Sequence, residues 1–396
     1  MLSLDKVFNA QTVLKKIIRE THVVQSYGIA PHCELYLKPE NLQITGSFKV
    51  RGSAYKIAML SQEEREKGVI ACSAGNHAQG VAMAATKNGI KSLICLPDSA
   101  PLSKVEATKR YGAQVCLVEG CYDNAYQKAL EIKEQEGYTF VHPFDDEDVI
   151  AGQGTIALEI LNDLDDIDAI VVPIGGGGLI SGIAYAVKQI RPNIKIYGVQ
   201  VEGAPSMYNS IKNQEIQTLD SVQTIADGIA VKQPGVNTYE LVNQYVDEIA
   251  LVSDDEVASA ILALMEKQKM IAEGAGATAV AAVMFEKFPL RGKRVVAVVS
   301  GGNIDVTSLS RVIDRGLLKS GRSSSLLIEL IDKPGQLKEI SRIIADCGGN
   351  VTGVHYEKGN TESINGCFLR IGMETKDYQH VKQITESLQR EGFKII

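Results

Sequence analysis

Four consecutive glycines, Gly175 to Gly178, follow the apolar run AIVVPI and precede LISGIAYAVKQI. Consecutive backbone amides at a strand–loop–helix junction form a concavity for an anion at the positive end of a helix, and glycine lets the chain approach a phosphate closely. A flexible linker is the bland alternative, but linkers seldom sit between two buried elements. The loop follows neither G-x-G-x-x-G nor the Walker pattern, so a small phosphorylated cofactor fits better than a dinucleotide or a nucleoside triphosphate.

Three further stretches carry polar chemistry. TGSFKVRG sets Lys49 beside Phe48 and Arg51; taken alone, such a lysine is more often a solvated surface charge. SAGNHAQG, residues 73–80, follows the run VIAC directly, and its small residues with Asn76 suit a loop that clasps a carboxylate. A helix cap built on Asn76 or Ser73 would explain the same letters. SGGN, residues 300–303, again lies just beyond an apolar run. Loops at the C-terminal ends of parallel strands are where open α/β sheets bind their ligands, so the three loops together mean more than each alone.

The elements that must hold these loops are legible as a pattern. VIAC (69–72), SLICLP (92–97), QVCLV (114–118), AIVVPI (169–174), KIYGVQV (195–201) and RVVAVVS (294–300) are apolar on both faces, as buried parallel strands are. Each is followed by a plausible helix, which predicts an α/β architecture with helices on both faces between about 45 and 318, the smaller half over about 45–150. Val7, Phe8, Leu14, Ile17 and Ile18 recur at helical spacing near the N-terminus. KSGRSSS reads as a linker over 319–324. Beyond it the order is strand 325–331, helix 336–347, two strands, a helix and a terminal strand FKII: βαββαβ, a ferredoxin-like domain over 325–396.

Composition narrows the classes. The 396 residues exceed one ordinary domain, and 45% are hydrophobic, which is ample for a large core. A net charge of −7 without a basic block speaks against nucleic acid, and no stretch is long and apolar enough for a bilayer. Seven scattered cysteines without a C-x-x-C pair suit a reducing compartment, hence the cytoplasm. Six histidines without ligand spacing disfavour a transition-metal enzyme.

The set SFKVRG, SAGNHAQG, GGGGL and SGGN, with HPFDD at 142–146 and IADGIAV at 225–231, resembles the pyridoxal-phosphate family of threonine and serine dehydratases. That family has the tryptophan-synthase-like fold, fold type II, with two parallel-sheet α/β subdomains. The C-terminal part resembles an ACT domain, with DKPGQL and GGNV where such domains meet an amino-acid effector. The resemblance implies pyridoxal 5'-phosphate held as a Schiff base by Lys49, with Phe48 against its ring. It also implies Asn76 on the ring hydroxyl, Gly175, Gly176, Gly177, Gly178 and Leu179 around the phosphate, and Ser300 at the pyridine nitrogen. Ser73, Asn76 and His77 would hold the substrate carboxylate. Gly335 and Asn350 would face an effector, isoleucine or valine, at an interface of a homodimer or homotetramer. Glu202 is the one carboxylate placed for a monovalent or divalent cation.

The implied reaction is elimination of water and then ammonia from threonine, giving 2-oxobutanoate, and from serine, giving pyruvate. A neutral hydroxyl at Ser300 cannot keep the pyridine nitrogen protonated as an aspartate would, which favours elimination over transamination; the bland reading is a cap for the following helix. Serine racemases resemble this sequence but use a hydroxyl two residues before the loop asparagine, where this chain has Ala74. A non-enzymatic amino-acid sensor would not need Lys49, Asn76, the glycines and Ser300 all intact. A nicotinamide dehydrogenase lacks its fingerprint here.

Overall fold

The apolar runs become strands within a residue of their expected ends: Val69–Cys72, Ser92–Pro97, Gln114–Val118, Ala169–Pro173, Lys195–Val201 and Arg294–Val299. The computed structural model describes residues 2–100, 102–358 and 366–396. It divides into two compact units, Met1–Asp305 and Val306–Ile396.

The first unit holds two sheets. The larger runs in the order 24–25, 34–39, 294–299, 169–173, 195–201, 248–252, parallel except for the first pair. The smaller is parallel throughout, in the order 114–118, 92–97, 69–72, 139–140. Every residue of Val69–Cys72 and of Ala169–Pro173 is buried, which is why these runs carry Val and Ile without alternation. Cys72, Cys95 and Cys116 share one register line across the smaller sheet, and all three are free thiols. Two ion pairs reach from the helices of the smaller sheet to the 220–235 segment: Lys104 to Asp227 at 2.6 Å and Lys232 to Asp123 at 3.6 Å.

The N-terminal helix is Leu4–Leu14, capped by Ser3, whose side chain accepts from the Lys6 amide. Val7, Ala10 and Leu14 are its buried stripe. Phe8, expected on that stripe, is exposed, and Ile17 and Ile18 lie beyond the helix end.

The second unit has the expected βαββαβ order, with an antiparallel sheet in the order 350–358, 366–374, 323–331, 394–395. Burial alternates along Ser323–Ile331 and Gly366–Glu374, so one face carries the core and the other does not. Ile328, Ile340, Ile344, Leu369, Ile371, Ile384 and Leu388 fill that core.

The expected linker at 319–324 is absent as such. Helix Val306–Lys319 belongs to the second unit, and the strand begins at Ser323. Gly321, at φ +67°, ends the helix: its amide donates to the Leu318 carbonyl and that of Arg322 to Leu317, a Schellman closure. The Ser/Gly letters of KSGRSSS therefore mark a helix stop and a strand start, and the unit boundary moves from 318 to 305. Among the described residues, no helix is long and apolar enough to cross a membrane.

Candidate active site

Lys49 is the first residue of helix Lys49–Ala58, with Phe48 at its N-cap. The Lys49 Nζ donates to the Pro143 carbonyl at 2.6 Å and stands 5.4 Å from the centre of the Phe48 ring. Burial lowers its pKa to about 8, against the opposing pull of the Glu273 carboxylate. A half-buried, readily deprotonated amine suits covalent attachment to an aldehyde.

The helix carrying Lys49 is anchored from below by charges. Arg51 donates from Nη1 to Glu159 Oε1 at 2.6 Å and from Nη2 to Glu40 Oε1 at 2.7 Å. Lys38 joins Glu159 as well, and all four side chains lie in the interior. The set is neutral overall, as buried charges must nearly be.

The two glycine-bearing loops meet this helix. Phe48 donates its amide to the Ser300 carbonyl at 3.1 Å, and Gly302 donates to the Gly46 carbonyl at 2.9 Å. Ser300 is buried and its hydroxyl donates to the Ala275 carbonyl at 3.2 Å. It does not cap the next helix, which starts at Val306. Pro143, beneath the Lys49 amine, is followed by Phe144, whose ring lies where a Cβ on Gly176 would be, at 2.4 Å. Gly177 has φ +100° and caps helix Gly178–Ile190. The amides of Gly175 to Leu179 find no acceptor among the described residues. They are the orphan donors of a helix N-terminus, pooled in one loop.

Asn76 starts helix Asn76–Lys87, and Gly75 rather than Asn76 or Ser73 holds the cap position. The Ser73 hydroxyl accepts from the Gly75 amide at 3.2 Å, which shapes the loop. Asn76 donates from Nδ2 to Glu273 Oε1 at 2.6 Å and accepts at Oδ1 from Asn303 at 2.7 Å. The side chain of His77 turns away from this loop. Its ring is buried, with Nε2 at 2.8 Å from the Val141 carbonyl and Nδ1 at 3.4 Å from Ser53 Oγ. Burial holds its pKa down at about 3, so the ring is neutral and committed to the interior; only the backbone amide is left for a carboxylate.

Glu202 is exposed at the end of strand Lys195–Val201. Among the described residues, no group of three or more His, Cys, Asp or Glu side chains comes together as a metal site. In the second unit, Gly335 caps helix Gln336–Asp346 with open space at its Cβ position, while Asn350 follows the far end of that helix and donates to Glu374 at 2.8 Å. The helix has 11 residues, which is about 16 Å of length, so the two do not form one site within a single chain.

Sequence reasoning missed Glu273 and Thr238, and quoted Asn303 within SGGN without giving it a role. Thr238 donates from Oγ1 to the Gly176 carbonyl at 2.6 Å and fixes the glycine loop. The available signal for Glu273 was a lone acid in IAEGAGATAV, an otherwise apolar and small-residue stretch.

Residues 14–301 match the pyridoxal-phosphate dependent enzymes. The chain is 48% identical to an L-threonine ammonia-lyase of Thermotoga maritima over 100% of its own length and 99% of that protein's. Among solved structures it resembles the processed form of threonine deaminase isoform 2 from Solanum lycopersicum, with TM-score 0.76, 37% identity, and 79% of this chain and 89% of that one covered. Maize serine racemase is comparably near, with TM-score 0.75, 34% identity, and coverage of 80% and 98%. The chain belongs to the pyridoxal-phosphate dependent enzymes, in the fold with two parallel α/β sheets.

The residues present fit that cofactor. Five amides without an acceptor among the described residues, gathered at a helix N-terminus, suit its phosphate, and a half-buried amine of lowered pKa suits its aldehyde.

Proposed function

We propose that this chain is an L-threonine ammonia-lyase, converting L-threonine to 2-oxobutanoate and ammonia and acting on L-serine as well. The observation that carries the reading is the half-buried Lys49 amine, held at the Pro143 carbonyl beside the amide-lined glycine loop. The full-length similarity to an L-threonine ammonia-lyase supports the same reaction.

When bound, pyridoxal phosphate supplies an electron sink for the carbanion at the α-carbon. The Lys49 amine, at least half neutral from about pH 8 upward, would take the α-proton; general-base action of this kind contributes ~10²–10⁴-fold. The Pro143 carbonyl fixes where its nitrogen points. Gly175 to Leu179 would hold the phosphate by backbone amides, and Phe48 would pack on the ring. The Ser73–His77 amides take the substrate carboxylate. Ser300, whose hydroxyl rests on the Ala275 carbonyl in this structure, would instead donate that proton to an unprotonated pyridine nitrogen. Ala74 has no proton to give to the opposite face, which favours elimination over racemisation.

The purified protein should form 2-oxobutanoate from L-threonine, and Lys49→Ala should not. Wild-type protein with bound cofactor and no product would sink the reading. D-serine appearing from L-serine at a comparable rate would move the assignment to the racemases.

We further infer that the second unit is an ACT domain that makes the enzyme allosteric, with isoleucine or valine as effector. Support comes from its βαββαβ sheet order and from the open Gly335 at a helix N-terminus. Because Gly335 and Asn350 lie at opposite ends of a helix, the effector site needs two copies of the chain, as in a homodimer or homotetramer. Calorimetric titration of the full chain with each branched-chain amino acid tests this; no heat from any would end it. Cysteines outside any disulfide among the described residues agree with a cytoplasmic enzyme.

A further inference from the structure

Glu273 occupies the N-cap of helix Gly274–Met284, yet its side chain makes no cap hydrogen bond there. It is buried, and its Oε1 accepts instead from Asn76 Nδ2 at 2.6 Å, across 197 residues of sequence. Two features keep it so. The Glu273 amide donates to the Gly301 carbonyl at 3.1 Å, and Gly301 leaves room: a Cβ there would fall 2.2 Å from Glu273 Oε1. On the other side of Asn76, Asn303 donates from Nδ2 both to Asn76 Oδ1 and to the Thr45 carbonyl, each at 2.7 Å.

A side-chain amide has two N–H donors and one oxygen. Glu273 takes one donor of Asn76, and Asn303 donates to the Asn76 oxygen. The orientation of the amide is thereby fixed, and one N–H remains. We propose that Glu273, with Asn303, is a positioning residue that clamps Asn76 so that its remaining N–H is presented to the ring oxygen of pyridoxal phosphate. The inference rests on Asn76 meeting that ring.

The clamp is sensitive to charge. Burial raises the Glu273 carboxyl to about 7, with Asp227 raising it further and Asn76, Lys104 and Lys49 pulling the other way. Above that pH the Asn76 bond is charge-assisted; below it the bond joins two neutral groups and is roughly half as strong. Cofactor affinity should therefore weaken as pH falls through about 7.

The test is a titration of the cofactor-free protein with pyridoxal phosphate, followed by absorbance between pH 6 and 8.5, with thermal unfolding of each cofactor-free variant. Glu273→Ala should weaken affinity ~10-fold or more, the effect of losing a hydrogen bond to a charged group. Glu273→Gln keeps an acceptor oxygen and should stay within ~3-fold of wild type at pH 8 while losing the affinity break near pH 7. Equal affinity in Glu273→Ala and wild type would overturn the clamp, as would a break that persists unchanged in Glu273→Gln. If Glu273→Ala does not fold, the Glu273→Gln profile decides alone. Asn76→Ala separates the two levels. If it binds the cofactor as wild type does, the placement of Asn76 on the ring fails. If it weakens binding and Glu273→Ala does not, only the clamp fails.

Discussion

Arg51 Nη1 meets Glu159 Oε1 at 2.6 Å in the interior, two residues along the helix from Lys49. The pair ties the reactive amine's helix to helix Glu147–Asp163, and Lys38 and Glu40 complete the neutral set. Removing one carboxylate leaves two cations facing one. Glu159→Ala should cost about 3–5 kcal/mol in urea unfolding, the penalty of a buried uncompensated charge. A loss under 1 kcal/mol would mean that water reaches the cluster.

His77 makes the fold sensitive to acid. Its folded pKa is about 3 against 6.5 for the free ring, so between those values the unfolded chain binds a proton that the folded chain refuses. Stability from this group falls as pH drops through that window, by up to about 1.4 kcal/mol per unit. Glu273 acts in the opposite sense: its folded carboxyl, raised to about 7 from 4.5, favours the folded state as pH falls below 7. The difference between wild type and His77→Gln isolates the histidine. Urea midpoints at pH 7 and pH 4 should converge in the variant, and parallel midpoints in both proteins would count against it.

Gly176→Ala should disturb the phosphate loop through Phe144, whose ring atoms lie 2.4–2.5 Å from the added methyl. Overpacking of this kind costs about 1–3 kcal/mol. Thermal unfolding should register that loss before any cofactor is added, and cofactor affinity should fall with it. An unchanged melting curve would show that Phe144 moves freely.

Gly321→Ala tests the closure that replaces the expected linker. The residue sits at φ +67°, and a Cβ would meet the Tyr378 amide nitrogen at 2.4 Å. Strain of about 1–3 kcal/mol should appear in unfolding of the second unit. Elimination of threonine without effector should be unchanged, because residues 1–305 carry the catalytic groups.

The sequence showed the strands best where both faces are buried, since uninterrupted Val and Ile have few other readings. It hid Glu34–Pro39, because that strand carries Lys38 inward and a buried lysine reads as a surface charge. Val24–Gln25 and Thr139–Phe140 are too short for any period to show. The glycine loop and Lys49 stood out because glycine runs and a covalent amine leave signatures in one stretch of chain. Glu273 and Asn303 did not, because their meaning lies in a meeting with Asn76 some two hundred residues away. The inward turn of the His77 ring was hidden for the mirror reason: its neighbours in sequence are loop residues, while its partners in space are Val141 and Ser53.

The Lys104–Asp227 and Lys232–Asp123 pairs join the two sheets' halves through side chains largely open to water. Exposed pairs of this kind are worth ~0–1 kcal/mol each and fade with salt. The seam between the halves is thus fastened by contacts that salt and thermal motion release at little cost to the fold. Added salt should act on this seam well before it reaches the enclosed charges beside Lys49.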